Sequence, residues 1–247
     1  MPWKDYLNEI NSIIISDGVT SISADAFYGC SNLTSVTIPD SVTSIGGNAF
    51  RGCNSLPSVT LPDSITSVGN KAFYDCASLK KVNITSLEAW CNIDFLDSSS
   101  TPFDLYNLYL NNQLITDLVI PDTITELKNM VFSSCVSFTS AIIPNSVTTI
   151  GRCAFYDCPN LTSISIPDSV TDIKYLALGK TAITSLTIPN SVLNIEDFIV
   201  NSCASLVSAI IPDSINKIPL ATFAACSSLT SVTIPGSITI IEGSAFY

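Results

Sequence analysis

Hydrophobic positions recur along this chain in a fixed order, with a period of 23 residues. The clearest marker is an aliphatic residue followed by proline, which occurs at positions 38–39, 61–62, 120–121, 143–144, 166–167, 188–189, 211–212 and 234–235. Ile15-Ser16 and Ile84-Thr85 occupy the same register without proline, so the sequence holds ten copies. One interval is 22 residues long, and the interval after Thr85 carries 13 additional residues. The pattern predicts a stack of coils in which each coil covers the apolar side of its neighbour.

Each copy predicts a long strand that ends at a corner. In one copy Leu33, Val36 and Ile38 follow the spacing L-x-x-V-x-I, and the V-x-I alternation points two side chains inward and the residues between them outward. The following proline ends the strand, because proline has no N–H to donate to a neighbouring strand. The Asp-Ser or Asn-Ser after it is typical of a turn.

The rest of each copy predicts a second short extended segment and a return turn. Val42 and Ile45 are the buried positions of the short segment in the same copy. Ala49-Phe50 then fills the return side, and we expect this pair to lie on a tight helical turn. A single coil cannot bury all these faces, so stacking is needed.

The repeat resembles that of the BspA-like leucine-rich-repeat family, which reads V-x-I-P-x-S-V-x-x-I-G-x-x-A-F-x-x-C. The resemblance extends from about residue 13 to the end of the chain. It implies a mostly β, right-handed solenoid of about ten 23-residue coils, with a parallel concave sheet and short helical turns opposite. Family members are typically surface or secreted proteins of host-associated bacteria and some protists, implicated in adhesion to host proteins and to other microbes.

The repeats predict a single leucine-rich-repeat domain over residues 1–247. Residues 1–12 are expected to form a partial cap on the first coil, and residues 86–114 an insertion within one repeat. The last copy stops at Phe246-Tyr247 without a polar cap, which solenoids need. We therefore expect either a natural parent that continues further or a homodimer formed through the uncapped C-terminal coil.

The insertion begins with a predicted short helix. Thr85-x-x-Glu88 is a capping-box signature ahead of Ala-Trp and indicates a helix that begins near Ser86. The aromatic residues leave two interpretations open: a projecting contact element, or a local core capped by Trp90 and Phe95. The aromatic residues concerned are Trp90, Phe95, Phe103, Tyr106 and Tyr109.

A loop and a hairpin are expected to complete the insertion. Residues 97–102 have the composition of a surface loop. Residues 106–110 and 114–120 then flank Asn111-Asn112-Gln113, a pattern that predicts a hairpin returning the chain to the repeat register.

Nine cysteines are present, and seven of them share one repeat column. Neighbouring coils lie about 4.8 Å apart, but side chains of one column point the same way, whereas a disulfide needs converging Cβ vectors. We expect buried structural thiols, at the position where leucine-rich repeats accept Cys or Asn. The column contains Cys30, Cys53, Cys76, Cys135, Cys158, Cys203 and Cys226; Cys91 and Cys153 lie outside it.

Composition argues against several classes of function. The chain has no histidine, the commonest general base near neutral pH and the commonest zinc ligand, and no G-x-S-x-G or phosphate loop appears. We therefore expect no catalytic site, cofactor or metal. A net charge of −11 opposes nucleic-acid binding, and no apolar run approaches the about 20 residues of a membrane span.

Outward positions of the long strands form two lanes across the predicted sheet. The first contains Ser35, Ser58, Lys81, Asp117, Ser140, Ser163, Ser185, Ser208 and Ser231. The second contains Thr37, Thr60, Asn83, Val119, Ile142, Ser165, Thr187, Ile210 and Thr233. Neither lane contains an aromatic residue, which argues against a carbohydrate-binding module.

Most of both lanes is ordinary for a solvated β-face, but three aliphatic residues break the pattern. Val119 and Ile142 are expected to be neighbours beside Asp117, while the alternative is a scatter of surface apolar side chains. The candidate protein-contact residues are Asp117, Val119, Ile142, Ile210, Lys81 and Asn83.

The positions after the prolines form an acidic edge. Stacked carboxylates are possible calcium ligands, but no D-x-D-x-D-G motif is present and Asp at a turn commonly bonds its own backbone, so we favour turn formation. The edge can still steer a basic partner electrostatically. It contains Asp40, Asp63, Asp122, Asp168 and Asp213, with Asn145 and Asn190 interspersed.

We therefore expect a non-catalytic recognition or adhesion module, part of a bacterial surface or secreted protein that binds host or microbial proteins. Localisation is expected to be extracellular or at the cell surface. The first residues, MPWKDYLNEI, lack the pattern of a secretory signal, so a cytoplasmic protein-interaction scaffold remains an alternative. The N-terminus of the gene would discriminate between the two.

Overall fold

The computed structural model describes residues 6–96 and 103–247, so the loop predicted at residues 97–102 lies outside the described residues. Contacts divide the chain into two compact units, Met1–Ile115 and Thr116–Tyr247. Each unit is a stack of parallel coils, about ten in the two units together. The fold is mostly β with almost no helix, as the repeat predicts; the single domain and the handedness of the coils stay predictions.

Short strands alternate with turns throughout both units. The first unit contains β1 (Ser12–Ile14), β2 (Ser21–Ile22), β3 (Ser35–Thr37), β4 (Ser44–Ile45), β5 (Ser58–Thr60), β6 (Ser67–Val68), β7 (Lys81–Ile84), α1 (Leu87–Cys91), β8 (Asp94–Phe95), β9 (Asn107–Leu110) and β10 (Gln113–Leu114). The second contains β11 (Asp117–Val119), β12 (Glu126–Leu127), β13 (Ser140–Ile142), β14 (Thr149–Ile150), β15 (Ser163–Ser165), β16 (Asp172–Ile173), β17 (Ser185–Thr187), β18 (Asn194–Ile195), β19 (Ser208–Ile210), β20 (Lys217–Ile218), β21 (Ser231–Thr233) and β22 (Ile240–Ile241).

Equivalent residues of successive coils lie opposite one another. The strands before the corner pair in parallel as β1-β3, β5-β7, β11-β13-β15 and β17-β19-β21. The strands after it pair in parallel as β2-β4-β6-β8, β12-β14-β16-β18 and β20-β22. Val59, for example, lies opposite Val82. Because the coils within each unit share this register, the apolar columns of the sequence become buried columns in each unit.

Serine and threonine hydroxyls tie each coil to the one before it. Thr162 Oγ1 donates to Thr139 O at 3.0 Å, and Ser169 Oγ donates to Val147 O at 2.7 Å. These bonds satisfy backbone carbonyls at both corners of the coil, so much of the hydroxyl content of the chain is structural. Equivalent bonds are donated by Thr34, Thr43, Ser64, Thr66, Ser146, Thr148, Thr171 and Thr230.

The return side consists of tight turns, where short helical turns were expected. Asn48 has a left-handed φ of 54° and Gly52 one of 76°. As a result, successive backbone N–H groups donate alternately within the coil and to the next coil. Ala49 N donates to Gly46 O of its own coil, whereas Phe50 N donates to Ala72 O of the next coil. A continuous helix would direct all these donors along its own axis, so bonding between coils replaces helical bonding here.

Phenylalanine rings fill the return side as a continuous stack. The ring centroids of Phe27 and Phe50 lie 5.2 Å apart, those of Phe50 and Phe73 5.0 Å, and those of Phe73 and Phe103 5.0 Å. Phe50 is fully buried between its two neighbours. The column therefore stabilises several coils at once.

The insertion forms a helix whose N-cap differs from the predicted one. Ser86 caps α1, since its Oγ accepts from Ala89 N at 3.1 Å. The hydroxyl of Thr85 instead donates to Asp63 Oδ1 at 2.7 Å in the preceding coil. The helix thus begins where the sequence indicates, but the prediction that Thr85 and Glu88 form a capping box is wrong, because Ser86 is the N-cap.

The aromatic residues of the insertion form a local core. Trp90 is only 1% exposed, and its ring centroid lies 5.5 Å from that of Phe95, 6.2 Å from Phe103 and 6.3 Å from Tyr106. Phe103 also extends the phenylalanine stack at the position of a repeat phenylalanine. Of the two interpretations, core packing is therefore confirmed for these four residues.

The hairpin is shorter than predicted. β9 pairs in parallel with β7 and antiparallel with β10. Asn111 and Asn112 join β9 to β10 with φ of 50° and 65°, as a two-residue hairpin turn requires. The predicted second strand at 114–120 is wrong in its extent, because β10 ends at Leu114 and the next strand, β11, pairs in parallel with β13. The insertion thus adds a long strand to the first unit.

All nine cysteines are free and buried, as the column argument predicts. Cys76 Sγ donates to Phe50 O at 3.1 Å, and Cys158 Sγ donates to Phe132 O at 3.1 Å. Thr181 takes the cysteine position in one coil and donates to Leu178 O at 2.9 Å. The column therefore requires a small donor that caps a return-turn carbonyl, which both side chains provide.

Phe50→Ala is expected to lower the free energy of unfolding by about 3–5 kcal/mol, because it removes a fully buried ring from the stack. Urea denaturation followed by circular dichroism measures the change. Tyr28→Ala is the matched control, since Tyr28 is exposed on the return turn of the preceding coil, and it should cost less than about 1 kcal/mol. Equal losses for the two variants would contradict the stacking account.

The folded protein is expected to resist thiol modification near neutral pH. Desolvation raises the pKa of both Cys91 and Cys226 to about 12, and the thiolate is the reactive form. A chromogenic disulfide reagent should detect all nine thiols in urea but react far more slowly with the folded chain. Rapid reaction of several thiols without denaturant would refute the burial of these cysteines.

Candidate protein-recognition surface

Two of the predicted contact residues form an exposed apolar pair. Strands β11 and β13 are in register, so Val119 lies opposite Ile142. Their side chains are 59% and 53% exposed. Ser165 lies opposite Ile142 on β15, and Ser140 is the outward residue that precedes Ile142 on β13. The pair is thus bordered by hydroxyl side chains.

Asp117 adds a fixed negative charge beside this pair. Its carboxylate accepts hydrogen bonds from the hydroxyls of Ser140, Thr116 and Thr139. These bonds, that from Ser140 first, lower the pKa of Asp117 below its ordinary value of 3.8. The carboxylate therefore stays ionised at neutral pH while its side chain remains exposed.

Ile210 lies apart from the pair. It belongs to β19, opposite Thr187 and Thr233, and is 49% exposed. It lines a groove of about 740 Å³ that runs along β15, β17, β19 and β21 and the corners after them. Beyond the strands, the polar residues that line the groove are Asp168, Asn190 and Asp213. The sequence did not predict this groove, because its depth depends on how the corners stack.

Asn83 and Lys81, which were expected to face a partner, instead contact the hairpin of the insertion. Asn83 is only 6% exposed, and its Oδ1 accepts from Asn112 N at 2.8 Å. Lys81 Nζ donates to Asn112 Oδ1 at 2.8 Å and lies 4.6 Å from the centroid of the Tyr109 ring. The expected outward exposure of Asn83 is therefore wrong, because β9 and the hairpin turn cover it.

The hairpin also corrects the view that the outward lanes hold no aromatic residue. Tyr109 lies opposite Asn83 in the register of β7 and β9, so it continues the second lane. The alternation N-L-Y-L at residues 107–110 was the available signal. Lys81 covers this ring, so Tyr109 serves the hairpin and not an open aromatic platform.

Residues of the acidic edge are exposed and bond at the corners. Asp63 accepts from Thr85, and Asn190 Oδ1 accepts from Asp213 N at 2.9 Å in the next coil. Within residues 6–96 and 103–247, no group of three or more His, Cys, Asp and Glu residues is arranged to hold a metal ion. In the same part of the chain, no helix has the length and hydrophobicity needed to cross a membrane.

Comparison with known proteins identifies the family of the chain. The BspA type Leucine rich repeat region, in six copies, matches residues 5–101, 104–177 and 150–247. The match covers most of the sequence, so the chain belongs to the BspA-type leucine-rich-repeat family. Comparison with curated proteins gives no significant match.

Solved bacterial structures share the fold. A leucine rich cell surface protein from Faecalibacterium prausnitzii is 28% identical with a TM-score of 0.66, and the match covers 92% of this chain and 60% of that one. A leucine-rich repeat protein from Bacteroides ovatus is 26% identical with a TM-score of 0.66, covering 97% of this chain and 64% of that one. The pneumococcal vaccine antigen PcpA, 20% identical with a TM-score of 0.55 over 94% of this chain and 74% of its own, shows the fold alone. The chain thus spans less than two thirds of the first two proteins.

Asn83→Ala is expected to loosen the hairpin. The change removes the acceptor of the Asn112 amide, and a buried neutral hydrogen bond contributes about 1 kcal/mol, or roughly fivefold in the opening equilibrium. Hydrogen exchange at Asn112 should accelerate accordingly. Thr60→Ala, at the equivalent position of β5, is the control and should leave that amide unchanged. Unaltered exchange in the Asn83 variant would remove its anchoring role.

Proposed function

We propose that the chain is a non-catalytic protein-recognition module whose contact surface is the outward face of the long strands in Thr116–Tyr247. The observation that carries the proposal is the exposed pair of Val119 and Ile142. Both occupy positions where the repeat usually has a hydroxyl side chain. Neither side chain supports the core, since both point away from it.

The physical properties of this pair suit a protein contact. Apolar side chains stabilise a complex when a partner removes them from water, by roughly 25 cal/mol per Å² of apolar area. A polar border is typical of protein interfaces, where it surrounds a desolvated centre. Here Ser140 and Ser165 supply hydroxyls beside the pair, and Asp117 supplies a charge that favours a basic group opposite it.

We further propose that the chain is part of a bacterial surface or secreted protein that binds host or microbial proteins. Support comes from family membership and from the similarity to a protein described as a leucine rich cell surface protein. The free thiols favour a second candidate, an intracellular interaction scaffold, because reduced cysteines are usual in the cytosol. Protease accessibility of the protein on intact cells distinguishes the two compartments.

The double variant Val119→Thr/Ile142→Thr tests the contact surface. Threonine keeps the branched shape and occurs at equivalent lane positions, so the strands should persist. Binding to purified extracellular-matrix, plasma and microbial surface proteins is measured on a biosensor. For a partner of the native chain, the double variant should weaken Kd by at least about tenfold, or ~1.4 kcal/mol.

Leu193→Thr is the matched control, because Leu193 is equally exposed but lies next to the short strand β18. It should leave the affinity unchanged. Undiminished binding by the double variant, or the same loss in the control, would refute this choice of surface. Folding of each variant is checked by circular dichroism.

A further inference from the structure

The groove beside Ile210 has a floor of hydroxyl side chains around one exposed isoleucine, and an anionic border. Thr187, Ile210 and Thr233 contribute outward side chains from β17, β19 and β21. Asp168 and Asp213 lie at the corners that follow β15 and β19, and both are exposed. None of the groove-lining residues is lysine or arginine. The carboxylates are therefore not neutralised by a cation in the groove lining.

Charges in Thr116–Tyr247 are segregated between the two sides of the coils. All five basic residues lie after the corners, on the short-strand or return side: Lys128, Arg152, Lys174, Lys180 and Lys217. Several are engaged there, as Lys217 Nζ lies 2.8 Å from Glu242 Oε1 and the Arg152 guanidinium 4.5 Å from the Tyr175 ring centroid. The long strands and their corners carry Asp117, Asp122, Asp168 and Asp213 and no basic residue.

We propose that this groove docks an extended, positively charged segment of the partner protein, with one apolar side chain packed on Ile210. The inference rests on the proposed recognition function and names the chemistry of the partner. Opposite charges favour association and act most strongly at low salt. Ile210 supplies the apolar contact that charge attraction alone lacks.

Groove dimensions define the segment that fits. Asp168 and Asp213 lie two coils apart, and coils are spaced by about 4.8 Å, so roughly 10 Å separates the two anionic positions. A polyproline II segment rises about 3.1 Å per residue with three residues per turn. Its side chains at i and i+3 therefore point the same way about 9 Å apart. Two basic residues at that spacing, with an apolar residue between them, match the groove.

A fluorescent peptide that contains Lys-Pro-Leu-Lys, flanked by glycine and serine, is the probe. Fluorescence anisotropy with the full chain should show binding that weakens at least about fivefold when salt rises from about 50 to 500 mM. The same peptide with both lysines acetylated should not bind measurably. Equal binding of the acetylated peptide would overturn the proposal.

Asp168→Asn/Asp213→Asn should weaken binding of the probe at least about tenfold at low salt, since it removes both groove carboxylates. Glu126→Gln/Asp157→Asn changes the net charge equally on the other sides of the coils and should alter affinity less than about twofold. Ile210→Thr should weaken binding at least about threefold, because neighbouring coils carry threonine there and the apolar contact is lost.

Equal loss in the groove and control variants would show attraction to overall negative charge and overturn the groove assignment. If the probe does not bind the native chain, the groove assignment is also overturned. Neither result decides the role of Val119 and Ile142, which the partner-binding experiment measures separately. If Val119→Thr/Ile142→Thr leaves partner binding unchanged while the probe still binds the groove, only the contact at Val119 and Ile142 is refuted.

Discussion

Backbone hydrogen bonding between coils, in one constant register, is the constraint on which the rest of this structure depends. Phe50 N donates to Ala72 O, and Leu61 N donates to Asn83 O, each to a residue 22 positions further along the chain. Because coils within each unit repeat such bonds, equivalent side chains stack on one another. The phenylalanine stack, the thiol column and the hydroxyl bonds are all consequences of this register, and none of them would persist if one coil shifted by a residue.

The same constraint explains which parts of the fold could be predicted from the sequence. The V-x-I-P pattern identifies buried strand and corner because local alternation and the missing proline N–H act within a few residues. The return turn was harder to predict. Left-handed residues there include Asn48, Lys71 and Leu176, types that share no local preference. Their conformation follows from bonding to the next coil, so a helical turn was the reasonable but incomplete expectation from local pattern alone.

Long-range pairing accounts for the errors in the insertion. Thr85 and Ser86 are both competent N-caps, and only the contact of Thr85 with Asp63 in the preceding coil decides between them. Asn83 falls in an outward lane when the copies are aligned by repeat position. Its burial depends on β9, which returns to pair with β7 after α1 and the local aromatic core. Sequence spacing within one repeat carries no information about that return.

Recognition can vary in such a fold because structural and exposed positions are separated. Hydroxyls at the corners and thiols under the turns bond backbone carbonyls of the preceding coil, so those columns are constrained. Most outward strand positions donate no hydrogen bond to a backbone carbonyl of the preceding coil. Replacing serine or threonine there therefore leaves the register intact. Val119, Ile142 and Ile210 are departures of this kind. Charge follows the same division, since the basic residues of Thr116–Tyr247 lie on the other sides of the coils and leave the strand face anionic. A partner bound at the proposed surface would therefore meet apolar and acidic groups on a scaffold whose stability does not depend on them.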